Sequence, residues 1–474
     1  MSEATNNSGA LIPLSKGKRN AVIIGSICLM LSIAMLGVGF FVIQGPVLEQ
    51  MGASEYYSLM TIFASLGLAI MTPIGGKLGD LFGRKNVITV SGVICAVCGI
   101  GMGIVRSIIP FILLRLLIGA AQGAFTAAPY ILMREINEPK DVPKYMGLLA
   151  SAIAIGGFGG SILLGAVADA GYLSLAIIIP VIPLLVGVIL IAINLPNKKN
   201  EGKVVIDIPG IICLTILLSA FCLVMNYGPI IGWTDPKILV GIAITLITIP
   251  IFVKVENKAN EPIVPMYLFK NSYYTKLLVV GFICYFYQTA MNAYAPLAMQ
   301  QVMGISAAVS GSVQLPRTIL TMVLPAALGV WVGKKNKNLW IAMAMATGLV
   351  AVAFVPLGFT NSSTSMIVYF IAIAITGIAE SFRSVSVTPA AQATLDAKDL
   401  GVGTALVTFV NSLAGLFAAA IYGAIYGINS GSIQSGVNQI FLLTVVVSII
   451  GCVIVVTSVR KHISAEDNTE EKTK

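Results

Sequence analysis

Four ionisable residues, Arg115, Arg317, Glu380 and Arg383, lie inside long apolar stretches of a chain that is 57% hydrophobic and only 10% charged. Charges within hydrocarbon are costly, so each of these side chains is expected to face a partner or a water-filled cavity. Three cations against one acid leave an excess of positive charge, which in a low-dielectric site favours binding of an anion. These residues are therefore the first candidates for solute binding and proton handling.

Glu380 is the only acid of this set, and it precedes Arg383 by three residues. On a helix this spacing places both side chains on one face, where they can pair. Two interpretations stay open: a self-satisfied structural ion pair, or a carboxyl group whose proton affinity responds to the arginine and to an arriving solute. Arg115 also has two interpretations, a role in coupling or substrate attraction and a structural role with its guanidinium bonded to backbone carbonyls. The predicted coupling residues are Glu380, Arg383 and Arg115.

Polar and aromatic side chains recur at helical spacing in the stretch CYFYQTAMNAYAPLAMQ, residues 284–300. Aromatic rings together with amides suit a cavity for an amphipathic solute. Tyr294 has an alternative place in the aromatic belt at the membrane interface. The residues predicted to line a substrate cavity are Arg317, Gln314, Tyr285, Gln288, Asn292 and Asn411.

Membrane-spanning helices must position these side chains, because an apolar stretch of about twenty residues crosses the hydrocarbon core as a helix. Such stretches recur along almost the whole sequence and predict an all-α polytopic membrane protein. The fourteen predicted helices cover residues 20–44, 56–78, 87–105, 108–133, 146–168, 171–194, 206–227, 237–254, 275–299, 307–333, 339–359, 364–389, 400–426 and 437–458.

Basic residues indicate how the chain is oriented in the membrane. They cluster in both tails and in the even-numbered connections, whereas the other side carries only Arg106 and Lys237. The positive-inside rule then predicts a multi-pass protein of the cell membrane with both termini cytoplasmic. The net charge of +9 is attributed to this topology, so no nucleic-acid partner is expected. Among the residues assigned to the cytoplasmic side are Lys198, Lys199, Lys203 and Lys398.

Two longer connections, at residues 194–205 and 256–274, divide the helices into groups of six, two and six. The stretch GGKLGDLFGRKN at 75–86 also has a partial echo, LGVWVGKKNKN, at 328–338. Internal repeats of this kind are typical of secondary transporters, whose substrate site lies between the halves near the membrane midplane. The predicted segments are a cytoplasmic tail (1–19), an N-terminal six-helix bundle (20–194), linkers with two extra helices (195–274), a C-terminal six-helix bundle (275–458) and a second cytoplasmic tail (459–474).

The stretch at 75–86 resembles the G-x-L-x-D-x-x-G-R-K signature that the major facilitator superfamily carries between helices 2 and 3. In that family the signature acts as a cytoplasmic latch that steadies one conformation. Its glycines allow a sharp turn, and its arginine can reach a carboxylate. The residues that the resemblance assigns to the latch are Gly76, Asp80, Gly83, Arg84 and Lys85.

The stretch GLLASAIAIGGFGGSILLG at 147–165 resembles the antiporter motif of drug exporters within the same superfamily. Ser161 stands where that motif has its proline, and Leu164 replaces a glycine. A further departure is Gly37, because the fourteen-helix drug:proton antiporter branch usually has an acidic proton carrier there, nine residues before a proline that corresponds to Pro46. The glycines that match the motif, and are predicted to allow close helix packing, are Gly147, Gly156, Gly160 and Gly165.

Over its whole length the chain most resembles that fourteen-helix branch. The resemblance implies two six-helix pseudo-repeats with two extra central helices. It also implies a secondary transporter that moves a small amphipathic solute by alternating access, with proton coupling and multidrug-like efflux. The departures at Ser161 and Gly37, together with the arginine excess, favour an alternative function. This alternative is proton-linked transport of an organic anion, in which the direction can also be import. A non-transporting membrane sensor or scaffold is an alternative of another class.

An enzyme and a metal site are not expected from this sequence. The single histidine, His462, lies in the C-terminal tail, and the pair Cys95 and Cys98 has no further ligand nearby, whereas zinc sites need four clustered ligands. No nucleotide-binding G-x-x-x-x-G-K-[ST] pattern is present, so the expected energy source is the proton gradient, without a cofactor. The expected partners are a small-molecule substrate and the lipid bilayer, and the expected state is a monomer.

Overall fold

The computed structural model of the 474-residue chain describes residues 12–138, 140–197, 206–396, 399–429 and 431–463. Four lysines predicted to lie on the cytoplasmic side are outside the described residues, and so are most residues of the two predicted tails. Those lysines are Lys198, Lys199, Lys203 and Lys398.

Fourteen helices of the described chain are long and apolar enough to cross a membrane, and this part of the protein contains no β-strand. The predicted all-α polytopic fold is therefore confirmed, and most helices extend a few residues beyond the predicted bounds. The helices are α1 Lys16–Gln50, α2 Ser54–Phe82, α3 Arg84–Ile104, α4 Ile108–Ile136, α5 Lys144–Asp169, α6 Leu173–Asn194, α7 Ile208–Ile231, α8 Pro236–Glu256, α9 Ser272–Gln301, α10 Ala307–Gly333, α11 Asn336–Leu357, α12 Met366–Ala393, α13 Leu400–Ile428 and α14 Ile433–Ile463.

Polar residues in the short connections define where several helices begin. Asn271 precedes α9, and its Oδ1 accepts the backbone N–H groups of Tyr273 and Tyr274, both at 3.1 Å. Asp207 and Ser365 cap α7 and α12 in the same way. Each such cap satisfies an otherwise unpaired donor and contributes about 1 kcal/mol to helix stability.

Three helices of the described chain contain one turn of π-helix. Two of the turns, Met35–Gly39 in α1 and Ala290–Tyr294 in α9, lie in the first helices of the two six-helix bundles, and the third, Val455–Val459, lies in α14. A π turn inserts an extra residue into the helix and is frequent at functional sites. The matching turns support the pseudo-repeat, and they alter the direction of side chains near the centre of both bundles.

Glycines on α2 allow its backbone to contact the backbone of α4. A Cβ atom added at Gly67 would lie 2.3 Å from the carbonyl oxygen of Leu116, and one added at Gly75 would lie 2.4 Å from that of Ala124. No side chain fits at those distances, so this approach requires glycine at both positions. The two helices therefore form a tight unit within the N-terminal bundle.

The two bundles contact each other on the membrane side opposite the termini, here called the opposite side; the side where α1 begins is the terminal side. The Asp169 carboxylate at the end of α5 accepts the N–H groups of Ala307 and Ala308 at the start of α10, both at 2.9 Å. The Tyr57 hydroxyl on α2 donates to the carbonyl of Ala293 on α9 at 2.6 Å. The bundles are thus closed together on the opposite side.

Contact between α5 and α10 is lost toward the terminal side. The segment Leu315–Gly333 of α10 contains no buried residue. On α5, an added Cβ at Gly147 would meet nothing within 4 Å among the described residues. The two helices therefore diverge from the opposite side toward the terminal side, and the protein is open between them there.

The extra helices α7 and α8 lie at the edge of the bundles. Helix α7 contacts one helix from each bundle: Ser58 of α2 donates to Asn226 at 3.3 Å, and Phe417 of α13 stacks on Phe221 with ring centroids 4.5 Å apart. Helix α8 packs on α7 and leaves most of its own surface exposed. The pair therefore covers the seam between α2 and α13.

Candidate functional site

The centre of the C-terminal bundle contains a buried ion pair on α12. Arg383 Nε donates to Glu380 Oε2 at 2.9 Å, and Arg383 Nη2 donates to Glu380 Oε1. The two side chains are only 12% and 15% exposed, respectively. Their three-residue spacing thus puts them on one helix face, as the sequence indicates.

Two side chains of α9 complete the surroundings of the Glu380 carboxylate. The Tyr287 hydroxyl and the Gln288 amide both donate to Glu380 Oε2, at 3.4 Å and 3.5 Å. The ring of Tyr285 lies under the Arg383 guanidinium, 4.9 Å from its Cζ. Glu380 therefore accepts four hydrogen bonds, all from side chains that a solute could displace or rearrange.

Arg317 of α10 joins this cluster through an amide rather than through a carboxylate. Its Nη2 donates to Gln288 Oε1 at 3.1 Å, and its Nε is buried without a partner in the described chain. Close packing fixes the position of this residue, because a Cβ added at Gly377 on α12 would lie 2.9 Å from its Cα. Gln288 thus bridges Arg317 and Glu380, and the cluster holds two guanidinium groups against one carboxylate.

The remaining predicted cavity residues contribute amides near the cluster helices. Asn292 lies in the π turn of α9 and Asn411 on α13, and in each the Oδ1 atom is buried without a partner among the described residues. Asn411 Oδ1 is 3.7 Å from the position of an added Cβ at Gly281, which places it against α9. Gln314 is buried at the break in α10, one helical turn before Arg317. The amide oxygens of Asn292 and Asn411 are free to accept hydrogen bonds from a solute.

Arg115 lies outside this cluster, in the N-terminal bundle. Its Nη1 donates to the carbonyl oxygen of Leu36 at 2.9 Å, and its guanidinium lies 4.1 Å from the centre of the Phe40 ring. Leu36 belongs to the π turn of α1. The guanidinium thus contacts a backbone carbonyl, and its role in coupling stays a prediction.

The latch residues surround the turn between α2 and α3 on the terminal side. Arg84 donates to Asp80 Oδ1 at 3.1 Å and forms a second ion pair with Glu135 near the end of α4. Gly83 has a φ of +85°, a conformation that favours glycine. Gly76 has open space around it, and Lys85 forms no ion pair with any residue that the structure describes.

The predicted packing glycines of α5 have different surroundings. A Cβ added at Gly156 would lie 2.4 Å from the carbonyl oxygen of Leu31 on α1, and one at Gly160 would lie 2.7 Å from the Met35 side chain. At Gly165 the nearest atom is the backbone nitrogen of Ala308, 2.6 Å away on α10. Gly147 has no such neighbour in the described chain. Three of the four glycines therefore occupy close helix contacts, and one of these contacts joins the two bundles.

Several residues that contribute to these sites were not selected from the sequence. Glu135 follows Arg134 in a basic stretch and had no pattern of its own, although an acid at the end of a predicted helix was a possible signal. Asp169 is an acid at the end of the glycine-rich helix, whereas Tyr287 belongs to the polar and aromatic stretch 284–300 that the sequence singles out, although its contact with Glu380 was not predicted. Their partners are distant in sequence, so only the fold brings them together.

The comparisons with known proteins extend over most of the chain. A family model described as Major Facilitator Superfamily matches residues 22–419. The multidrug transporter protein MdtP of Bacillus subtilis is 28% identical over 422 residues, covering 88% of this chain and 77% of that protein. The quinolone resistance protein NorB of Staphylococcus aureus is 26% identical over 404 residues, covering 82% and 84%.

Solved structures show the same fold at low sequence identity. A crystal structure of a POT family transporter in complex with 5-aminolevulinic acid aligns with a TM-score of 0.69 at 13% identity, covering 91% of this chain and 94% of that one. The resemblance drawn from residues 75–86 is therefore confirmed at the level of the family. This chain belongs to the major facilitator superfamily, and it is a membrane-embedded transporter of small molecules and not an enzyme.

Proposed function

We propose that this transporter exports small amphipathic organic solutes by alternating access and draws its energy from the proton gradient. The observation that carries the proposal is the cluster on α9, α10 and α12, where charged, amide and aromatic side chains meet within an otherwise apolar bundle. Such a surface can bind the apolar part of a solute on tyrosine rings and its polar part on amides and guanidinium groups. MdtP is named a multidrug transporter and NorB a quinolone resistance protein. The multidrug character is taken from the first name, and the efflux direction is our inference from the resistance in the second.

Alternating access is supported by the unequal contacts of the two bundles. They are joined on the opposite side by Asp169 and Tyr57, whereas α5 and α10 separate on the terminal side. Such a conformation admits solute from the terminal side only. We assign that side to the cytoplasm of a cell-membrane protein acting as a monomer, so a solute enters there and leaves after the opposite-side contacts open.

Proton coupling is assigned to Glu380, because it is the acid within the cluster. Burial favours the protonated carboxyl, whereas Arg383 favours the ionised one. A solute that displaces Gln288 or Tyr287 removes a donor from the carboxylate and so increases its proton affinity. This linkage couples solute binding to proton binding in the same cluster.

A second candidate function is proton-linked transport of an organic anion, including import. The observation that favours it is Arg317, which contacts an amide and has no carboxylate partner in the described chain. A solute carboxylate or phosphate would neutralise that charge with a charge-assisted hydrogen bond.

The experiment that separates the two candidates uses the purified protein in proteoliposomes with an imposed pH gradient. Transport of a panel of organic anions is compared with transport of a panel of cationic dyes, in both directions. We expect efflux of amphipathic solutes that depends on the gradient. If only the anions are transported, the second candidate function replaces this proposal. If both panels are transported at rates that do not depend on the pH gradient, the proposed proton coupling is wrong.

A further inference from the structure

The ends of the two extra helices hold a pair of buried carboxyl groups outside the cluster around Glu380. Asp207 immediately precedes α7 and Glu256 ends α8, so both lie on the terminal side. Their exposed fractions are 7% and 2%. Neither forms an ion pair with a residue in the described ranges. Acidic side chains this buried normally have a charged or donating partner for each oxygen.

Each carboxyl group uses only one of its oxygens. Asp207 Oδ1 accepts the N–H of Gly210 at 2.9 Å, and Glu256 Oε2 accepts the N–H of Val264 at 2.8 Å. The other two oxygens, Asp207 Oδ2 and Glu256 Oε1, are buried and have no partner among the described residues. Both unused oxygens are directed at the same place, beside the α-carbon of Gly210.

The surroundings of Gly210 show how close the two unused oxygens are. A Cβ added at Gly210 would lie 2.3 Å from Asp207 Oδ2 and 2.5 Å from Glu256 Oε1. The two oxygens are therefore within about 5 Å of each other, a distance at which two ionised carboxylates repel strongly. Glycine at this position leaves the space between them free of any side chain.

Lys77 is the cation that faces the pair: its charge acts on both Asp207 and Glu256, but it forms no ion pair with either of them. Lys77 of α2 donates to the backbone carbonyl of Glu261 in the linker between α8 and α9, and its Nζ is 4.0 Å from the Glu261 carboxylate. The ammonium group is thus bound to the linker, and Glu261 adds a negative charge beside it. A buried carboxylate pair without a direct cationic partner is unfavourable when both groups are ionised.

We propose that Asp207 and Glu256 share one proton and form a protonation site separate from Glu380. With one proton between them, one unused oxygen becomes a donor and the other an acceptor. Closing the gap beside Gly210 to the roughly 2.5 to 3.0 Å of an O–H···O bond gives both atoms a partner. This arrangement removes one of two adjacent negative charges from a poorly hydrated region. The site is formed by α7 and α8, which the six-helix bundles do not include.

Loss of the shared proton has a specific structural consequence. Glu256 holds the linker through Val264, and Lys77 holds the same linker through Glu261. Repulsion between two ionised carboxylates pushes Glu256 away from Asp207 and weakens its bond to Val264. The pH on the terminal side therefore controls how firmly the linker is attached to α2 and α8.

Difference infrared spectroscopy of the purified full-length protein in lipid nanodiscs tests for the shared proton. At neutral pH an exposed carboxyl group, with a pKa of about 4, is ionised. An infrared band from a protonated carboxyl group at this pH therefore identifies a group that its surroundings keep protonated. We expect such a band in the wild type and its loss in both Asp207→Asn and Glu256→Gln. Asp235→Asn, which alters the equivalent cap of α8 on the opposite side, and Glu380→Gln should keep the band.

Hydrogen–deuterium exchange of residues 257–271, corrected for the intrinsic effect of pH, provides the second readout. In the wild type, exchange in this linker should become faster over the pH range in which the infrared band of the protonated carboxyl group disappears. Asp207→Asn should abolish this pH-dependent increase. Both substitutions keep the side-chain shape, and an unchanged elution volume and melting temperature establish that the variants are folded. The proposal is overturned if the wild type has no such band, if the band survives either of the two substitutions, or if Na⁺ at constant pH removes it and so identifies a metal-cation site.

Discussion

Replacing Glu380 with glutamine tests the proposed coupling most directly. In the structure the carboxylate accepts two hydrogen bonds from Arg383, one from Tyr287 and one from Gln288. Glutamine has nearly the same shape but no charge. Its amide NH₂ would replace a carboxylate oxygen that accepts a hydrogen bond from Arg383, so that two donors would face each other. The substitution therefore breaks the ion pair while leaving the space around it filled.

The energetic effect follows from the burial of the pair. Removing one partner of a buried ion pair costs about 3 to 5 kcal/mol, because the other charge is left uncompensated. Arg383 retains the Tyr285 ring at 4.9 Å, and a cation–π contact of this kind contributes about 1 kcal/mol. We expect Glu380→Gln to lower stability by about 2 to 4 kcal/mol, and Glu380→Gln combined with Arg383→Gln to recover most of that loss.

Transport by Glu380→Gln is measured in proteoliposomes with and without a pH gradient. Because the variant has no carboxyl group in the cluster, we expect downhill transport to continue and its acceleration by the gradient to disappear. Glu49→Gln is the matched control, since Glu49 lies on the opposite side and its carboxylate accepts a hydrogen bond from Gln301 at 3.3 Å. Unchanged gradient-driven transport in Glu380→Gln, at normal membrane insertion, would refute the coupling role.

Three further predictions concern helix contacts. Asp169→Asn should weaken the cap that joins α5 to α10 by about 1 kcal/mol and lengthen spin-label distances across the opposite side; unchanged distances would contradict a closing role. Gly75→Val should lower the melting temperature in detergent because its Cβ meets the α4 backbone, whereas Gly76→Ala faces open space and should not; equal melting temperatures would argue against that contact. Glu135→Gln should leave Arg84 paired with Asp80 alone and should slow transport at normal membrane insertion. An unaltered transport rate would show that the ion pair between Arg84 and Glu135 has no part in the latch.

The fold could be predicted well from the sequence because the membrane imposes a simple rule. Every spanning segment must satisfy its own backbone, so long apolar stretches identify helices directly. The turn at Gly83 and the glycine contacts at Gly156 and Gly160 were also readable, since their patterns are local. The family resemblance depended on the same local stretches.

The composition of the candidate site was only partly readable. Spacing within one helix placed Glu380 beside Arg383, but the bridge through Gln288 to Arg317 depends on how three helices pack. The pair of Asp207 and Glu256 had no signal, because the two acids are 49 positions apart and each looks like an ordinary helix end. Contacts across helices depend on tertiary packing, and a single sequence does not reveal it.

The position of α7 and α8 has a consequence for the route that a lipid-soluble molecule takes. The pair covers the seam between α2 and α13, with Phe221 stacked on Phe417 and Asn226 bonded to Ser58. Over the other seam, between α5 and α10, the described residues place no added helix, and this seam separates on the terminal side. A compound dissolved in the leaflet on the terminal side therefore meets one closed flank and one open flank. We expect lateral entry from the bilayer to be one-sided, through the gap between α5 and α10.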